Sequence, residues 1–193
     1  MNASNKMTIT RIILTIVIII LCLFPFYSLG INFPKLNING LVVDSVYFIA
    51  GFIYIMALLT NYLDSSIAKK NNTISDRGNL LDKTANEILV DMMLIIFACR
   101  GFVPGIVPVV YIFTEEIINF LSKDLLKKGY TFTVVKADRI KLFSIMIGIL
   151  FMFFYNLPFE LLNIKVADFL IYFGIIMSIV SAIEYYNLWK KVK

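Results

Sequence analysis

The sequence contains no histidine, which removes the commonest general base and the usual zinc ligand before any motif is sought. Charge is scarce as well: 16% of residues are Asp, Glu, Lys or Arg, against roughly a quarter in a soluble domain. Only two cysteines occur, Cys22 and Cys99, each inside an apolar run and far from the other. They make neither a disulfide framework nor a metal site, and are expected to be buried small hydrophobes. No internal repeat or low-complexity segment stands out. What fills the chain instead is apolar: 60% of its 193 residues are hydrophobic. No soluble fold of this length can hide that much apolar surface, so the excess is expected to face lipid.

The apolar residues fall into six runs, which predict membrane spans at about 12–29, 42–63, 86–102, 106–121, 142–156 and 166–186. The first follows Lys6 and Arg11, as a signal peptide would, but it leads into Gly30, Ile31, Asn32, Phe33 and Pro34. These offer no clear cleavage site, so the run is read as a retained span. A polar loop occupies about 30–39, and the most polar stretch is 64–86. All but three of the 18 basic residues fall on one side of such a bundle, with Lys35, Arg100 and Lys165 on the other. The excess of Lys and Arg on cytoplasmic loops then places both termini inside. The net charge of +5 is thereby explained by topology, without nucleic acid. The expected fold is all-α: one membrane domain over residues 1–193, a six-helix bundle with N-in and C-in.

Five acids or amides gather between the second and third spans: Asn61, Asp64, Asp76, Asp82 and Asn86. Asn61 and Asp64 are three apart, and Asp82 and Asn86 four apart, so each pair shares a helix face. Gly78 lies four before Asp82, where a chain re-entering a helix can use a permissive backbone. Two short polar faces, one at each end of a helix–loop–helix and able to converge at one end of the bundle, suit a divalent cation, or a pair, holding a phosphate-bearing substrate. They equally suit ordinary polar residues capping helix ends. Asp91, an acid inside the third run, is expected to be paired or functional. It lies nine residues after Asp82, about half a turn off the motif face.

The segment running from Asn61 through Asp64, Ser65, Ala68, Lys69, Gly78 and Asp82 to Asn86 resembles the signature of the CDP-alcohol phosphatidyltransferase family, D-x2-D-G-x2-A-R-x8-G-x3-D-x3-D. Every spacing is kept, and the identities are kept at Asp64, Ala68, Gly78 and Asp82. Asn5, Thr8 and Arg11 match an N-x-x-T-x-x-R pattern ahead of the first span in bacterial members whose acceptor is glycerol 3-phosphate. Arg139, Ile140 and Lys141 look like their basic K-I-K-T element, and residues 183–186 resemble the end of their last span. The resemblance implies transfer of a phosphatidyl group from CDP-diacylglycerol to an alcohol, here glycerol 3-phosphate, with release of CMP. It implies Mg²⁺ or Mn²⁺ held at Asn61, Asp64, Asp82 and Asn86, with the last also in the place of the general base. Ser65, Ala68, Lys69, Gly78, Arg139 and Lys141 would then contact substrate. It further implies a homodimer in a bacterial plasma membrane, with the active-site face cytoplasmic.

Four motif positions depart from the family pattern. Asn61 and Asn86 replace aspartates, Ser65 a glycine and Lys69 an arginine. An amide oxygen can ligate a metal without charge, but it cannot act as a general base. Lysine keeps the charge and loses the planar fork that grips phosphate. Asp76, Glu87 and Asp91 are the nearby acids that could substitute for a missing ligand. In the fourth span, Glu115 and Glu116 stand where related enzymes often carry an R-E pair, so one phosphate contact would be missing. Two readings stay open: a working transferase with a weakened metal site, or a catalytically silent relative that keeps the fold to bind a nucleotide, a lipid or a membrane partner.

Overall fold

A computed structural model describes residues 3–38, 40–70, 76–128 and 135–192; for 3–6, 61–70, 76–80 and 192 it describes the backbone alone. Among the described residues six long helices run in chain order: α1 (Ala3–Leu23), α2 (Ser45–Lys70), α3 (Asp76–Cys99), α4 (Ile106–Lys127), α5 (Lys136–Phe153) and α6 (Val166–Val192). Of these, Val166–Lys191 is long and apolar enough by itself to cross a membrane, and Met7–Leu23 and Ser45–Thr60 are shorter apolar helices. Two features differ from the sequence reading. The segment between α1 and α2 is not only a polar loop: Lys35–Ile38 (β1) and Leu41–Asp44 (β2) form an antiparallel hairpin. Four-residue strands in a short polar segment carry too little alternation to announce themselves. Cys22 is buried as expected, whereas Cys99, at the end of α3, is exposed.

The helices run past their apolar stretches at the polar ends, because charged turns can remain helical in water once the apolar turns are packed. α1 packs against both α2 and α3, while α6 packs against α4 and α5. Tyr54, Leu89, Met93, Phe97, Ile149 and Phe153 lie in the shared core, each fully buried. Opposite the motif end, the Arg100 guanidinium donates to the Cys22 carbonyl. There the Tyr155 hydroxyl accepts from the Asp44 amide at 3.0 Å. Asn156 joins α5 to α6 by donating to the Ile164 carbonyl at 2.7 Å and accepting from the Ala167 amide at 3.0 Å.

α5 and α6 meet through glycine. A Cβ added at Gly148 would come within 2.8 Å of Ile171 Cγ1 and 3.2 Å of the Ala167 carbonyl oxygen. Such small residues let helix backbones approach closely. Gly148→Ala is therefore expected to cost about 1–3 kcal/mol through overpacking, read as a lower thermal midpoint in detergent. An unchanged midpoint would mean the helices do not touch there.

The motif-side ends of α4 and α6 are joined by the Trp189 indole, which donates to Asp124 Oδ2 at 2.6 Å, with Lys128 Nζ 5.2 Å from the ring centroid. The indole hydrogen bond, then that from Lys128, holds the Asp124 carboxyl below its ordinary value. A lowered folded-state value means the contact contributes fully above the ordinary aspartate range and is lost as pH falls through the lowered value. Trp189 is the chain's one tryptophan, so its emission should change on acidification below about pH 4. Asp124→Asn should remove that transition, and an identical acid profile in the variant would dissociate the emission from this contact.

Candidate functional site

α1 brings a permanent cation to the motif. Arg11 sits on the face of α1 turned to α3, with none of its surface exposed. Its Nη1 donates to Asp82 Oδ1 at 2.6 Å and to Asn86 Oδ1 at 3.0 Å, and lies 3.4 Å from the Asp82 carbonyl oxygen. The i, i+4 spacing of Asp82 and Asn86 is what puts both oxygens within reach of one nitrogen. Asn86 is buried, while the Asp82 side chain is 27% exposed. Arg11 Nε and Nη2 are buried without a hydrogen-bond partner. The sequence offered one signal for this residue: an arginine opening an apolar run within the N-x-x-T-x-x-R pattern.

Of the other expected site residues, Asn61, Asp64, Ser65, Ala68 and Lys69 lie in the last turns of α2, and Gly78 in the first turn of α3. Their side chains lie outside the described residues, as does that of Asp76. Arg139 is exposed on the first turns of α5. Lys141, two residues on and so on the opposite face of the helix, is 2% exposed and its ammonium is bound by both Glu115 and Asp138. The Tyr111 ring lies below it, 5.8 Å from Nζ, and Ser181 Oγ stands 3.5 Å from Asp138 Oδ1. Lys141 thus ties α4 and α5 together instead of presenting its charge to open space.

Neither described acid that could replace a motif ligand joins Asp82. Glu87 faces α4, with its Oε1 3.4 Å from Lys83 Nζ. Its Oε2 accepts from Asn119 Nδ2 at 3.3 Å, and Lys83 also donates to Asn119 Oδ1 at 2.9 Å. Asp91 Oδ1 is buried with no hydrogen-bond partner. Among the described residues no group of three or more His, Cys, Asp or Glu could hold a metal.

The donor set can be tested for a two-ion site at the two ligand positions whose side chains are described. Asp82 engages Arg11 through Oδ1, which leaves Oδ2 on its part-exposed side for one cation. Asn86 brings no charge, and its amide oxygen already accepts from a guanidinium. A second divalent ion at that amide would sit beside a fixed positive charge with no carboxylate to offset it. At these two described positions the donors fit one ion and not two.

Comparison with known proteins agrees with the family read from the sequence. Residues 1–180 match the CDP-alcohol phosphatidyltransferase family. The chain is 27% identical to the CDP-diacylglycerol–glycerol-3-phosphate 3-phosphatidyltransferase of Bacillus subtilis, across 100% of this chain and 97% of that protein. The proteins of the same name from Mycoplasma genitalium and Rickettsia bellii are 24% and 22% identical, over 77% and 98% of this chain and 63% and 96% of theirs.

Removing one partner of a buried ion pair strands the other charge, at about 3–5 kcal/mol. Lys141→Met is therefore expected to destabilise the protein by about that amount. Replacing Glu115 and Asp138 with apolar residues in the same chain should recover much of the loss. If Lys141→Met unfolds like the wild type in detergent, the buried trio does not hold α4 to α5.

Proposed function

The chain belongs to the CDP-alcohol phosphatidyltransferase family, and on that premise we propose that it transfers a phosphatidyl group from CDP-diacylglycerol to glycerol 3-phosphate, releasing CMP. Members of this family are integral membrane enzymes that generally use divalent metal ions. The observation that carries the reading is Asp82, a retained motif carboxylate with Oδ2 open beside a buried arginine. Relatives named for this reaction support the choice of acceptor. The one-sided distribution of Lys and Arg supports six spans with both termini inside and the motif end of the bundle cytoplasmic. A homodimer in a bacterial plasma membrane accompanies the same reading.

Asp64 and Asp82 would hold one Mg²⁺ or Mn²⁺, which polarises the diphosphate of the donor when bound. In the transfer the acceptor hydroxyl oxygen bonds to the phosphatidyl phosphorus, and the bond from that phosphorus to the oxygen leaving with CMP breaks. The hydroxyl proton cannot pass to Asn86, because an amide is no base at physiological pH; it leaves to water. Loss of a positioned base costs about 10²–10⁴-fold, so the expected turnover is slow. Exposed Arg139 is free to meet a phosphate at the start of α5.

One observation favours the second reading, a silent relative. The amide oxygen of Asn86 is spent on Arg11, in a motif that has also exchanged Asn61, Ser65 and Lys69. Purified protein given CDP-diacylglycerol, glycerol 3-phosphate and Mg²⁺ or Mn²⁺ decides between them. The transferase reading expects CMP release that requires metal and acceptor and vanishes in Asp82→Ala. Release no greater than in that variant would place the chain among silent relatives. Asn61→Asp with Asn86→Asp is expected to strengthen Mn²⁺ binding sharply, and unchanged binding would remove these positions from the metal site.

A further inference from the structure

A guanidinium carries five N–H donors in a rigid plane and keeps its charge at every physiological pH. Arg11 spends Nη1 on Asp82 and Asn86. The donors left over are on Nε and Nη2, which lie side by side along the opposite edge and point the same way. That edge forms two parallel N–H···O bonds with a single phosphate or carboxylate. Buried donors on a charged group are costly to leave unmade, and arginine has no route to neutrality. An oxyanion would meet both at once. Solvent comes within one side chain of the guanidinium, because Asp82 is part exposed.

Charge at position 86 decides whether an anion is tolerated. With Asp82 at −1, Arg11 at +1 and Asn86 neutral, the trio carries no net charge. A carboxylate at 86 would make it −1 and repel an incoming oxyanion at hydrogen-bond range. The asparagine keeps a bond that fixes the guanidinium and adds no charge to repel an anion from its unused donors.

We propose that the Nε–Nη2 edge of Arg11 is an oxyanion subsite that takes a phosphate oxygen of a substrate, and that Asn86 is the positioning residue that holds it. The inference rests on the reading that phosphate-bearing substrates enter at the motif helices. Its test is binding without metal, so it and the proposed turnover can fail separately.

The full chain in detergent with a chelator present is titrated with CDP, glycerol 3-phosphate, inorganic phosphate and cytidine by calorimetry. Wild type is expected to bind at least one phosphate-bearing probe. Arg11→Lys, which keeps the charge and loses the fork, should weaken that binding about tenfold or more and leave cytidine unchanged. Asn86→Asp, which keeps an acceptor for Arg11 but adds a charge, should weaken it in the same selective way, although it favours metal when metal is present. Loss confined to CDP assigns the edge to the donor diphosphate; loss confined to glycerol 3-phosphate assigns it to the acceptor. Thermal midpoint and Trp189 emission report whether each variant is folded. If Arg11→Lys does not fold, Asn86→Asp, with Arg11 intact, carries the test. Wild-type affinity for every probe in a folded variant overturns the proposal, as does failure of the wild type to bind any phosphate-bearing probe.

Discussion

A cation that cannot be neutralised, buried completely in an apolar bundle, must be met by oxygen atoms whose positions are fixed in advance. Arg11 imposes that constraint on the half of the bundle that carries the motif. Its Nη1 reaches two oxygens one helical turn apart on α3, so α1 can neither slide nor rotate against α3 without stranding the charge. The apolar stretch of α1 begins at the next residue, Ile12, and its depth follows from this anchor. Burying an ion pair is weak evidence for added stability. Its better-supported use is to specify register, and α1, packed on both α2 and α3, is the element whose register sets the motif helices.

Lys141 is the comparable cation on the other side of α3, and the two differ in what they have left to give. An ammonium offers three donors, and Glu115 and Asp138 take two while supplying more negative charge than the lysine carries. Arg11 faces one carboxylate and one amide, with an entire edge unused. By donor count and by charge, Arg11 is the buried cation with capacity for a ligand, and Lys141 serves as a clamp.

Local spacing was readable in the sequence, and long-range partners were not. The face shared by Asp82 and Asn86 follows from four residues of helix, and the family follows from spacings preserved where half the identities are not. The guanidinium that joins those two side chains comes from more than 70 residues away, and only the family-like N-terminal pattern hinted that Arg11 mattered. The same limit separates the two halves of the Lys141 clamp. Asp138 lies three residues before it, a spacing that puts the two on one helix face, whereas Glu115 arrives from another helix. There the sequence offered a basic element suited to phosphate, and packing turned one of its two charges inward. The β1–β2 hairpin escaped notice because its strands are short and its tertiary contact, the Asp44 amide to the Tyr155 hydroxyl, comes from more than 100 residues away.

Asn86 changes meaning once its neighbour is known. Taken alone, an amide in place of a motif carboxylate is a loss: one charge fewer for a metal and no base for a hydroxyl. Beside Arg11 the same substitution removes a repulsion. An aspartate there would complete the charge balance of a divalent ion and overbalance a lone guanidinium; an asparagine does the reverse. The charge at position 86 therefore sets which counter-ion this half of the motif favours, a diffusible divalent cation or a tethered arginine. With Asn86 in place the electrostatics favour the arginine. On the proposed subsite, phosphate recognition would be supplied in part by the fold, with correspondingly less of it left to metal.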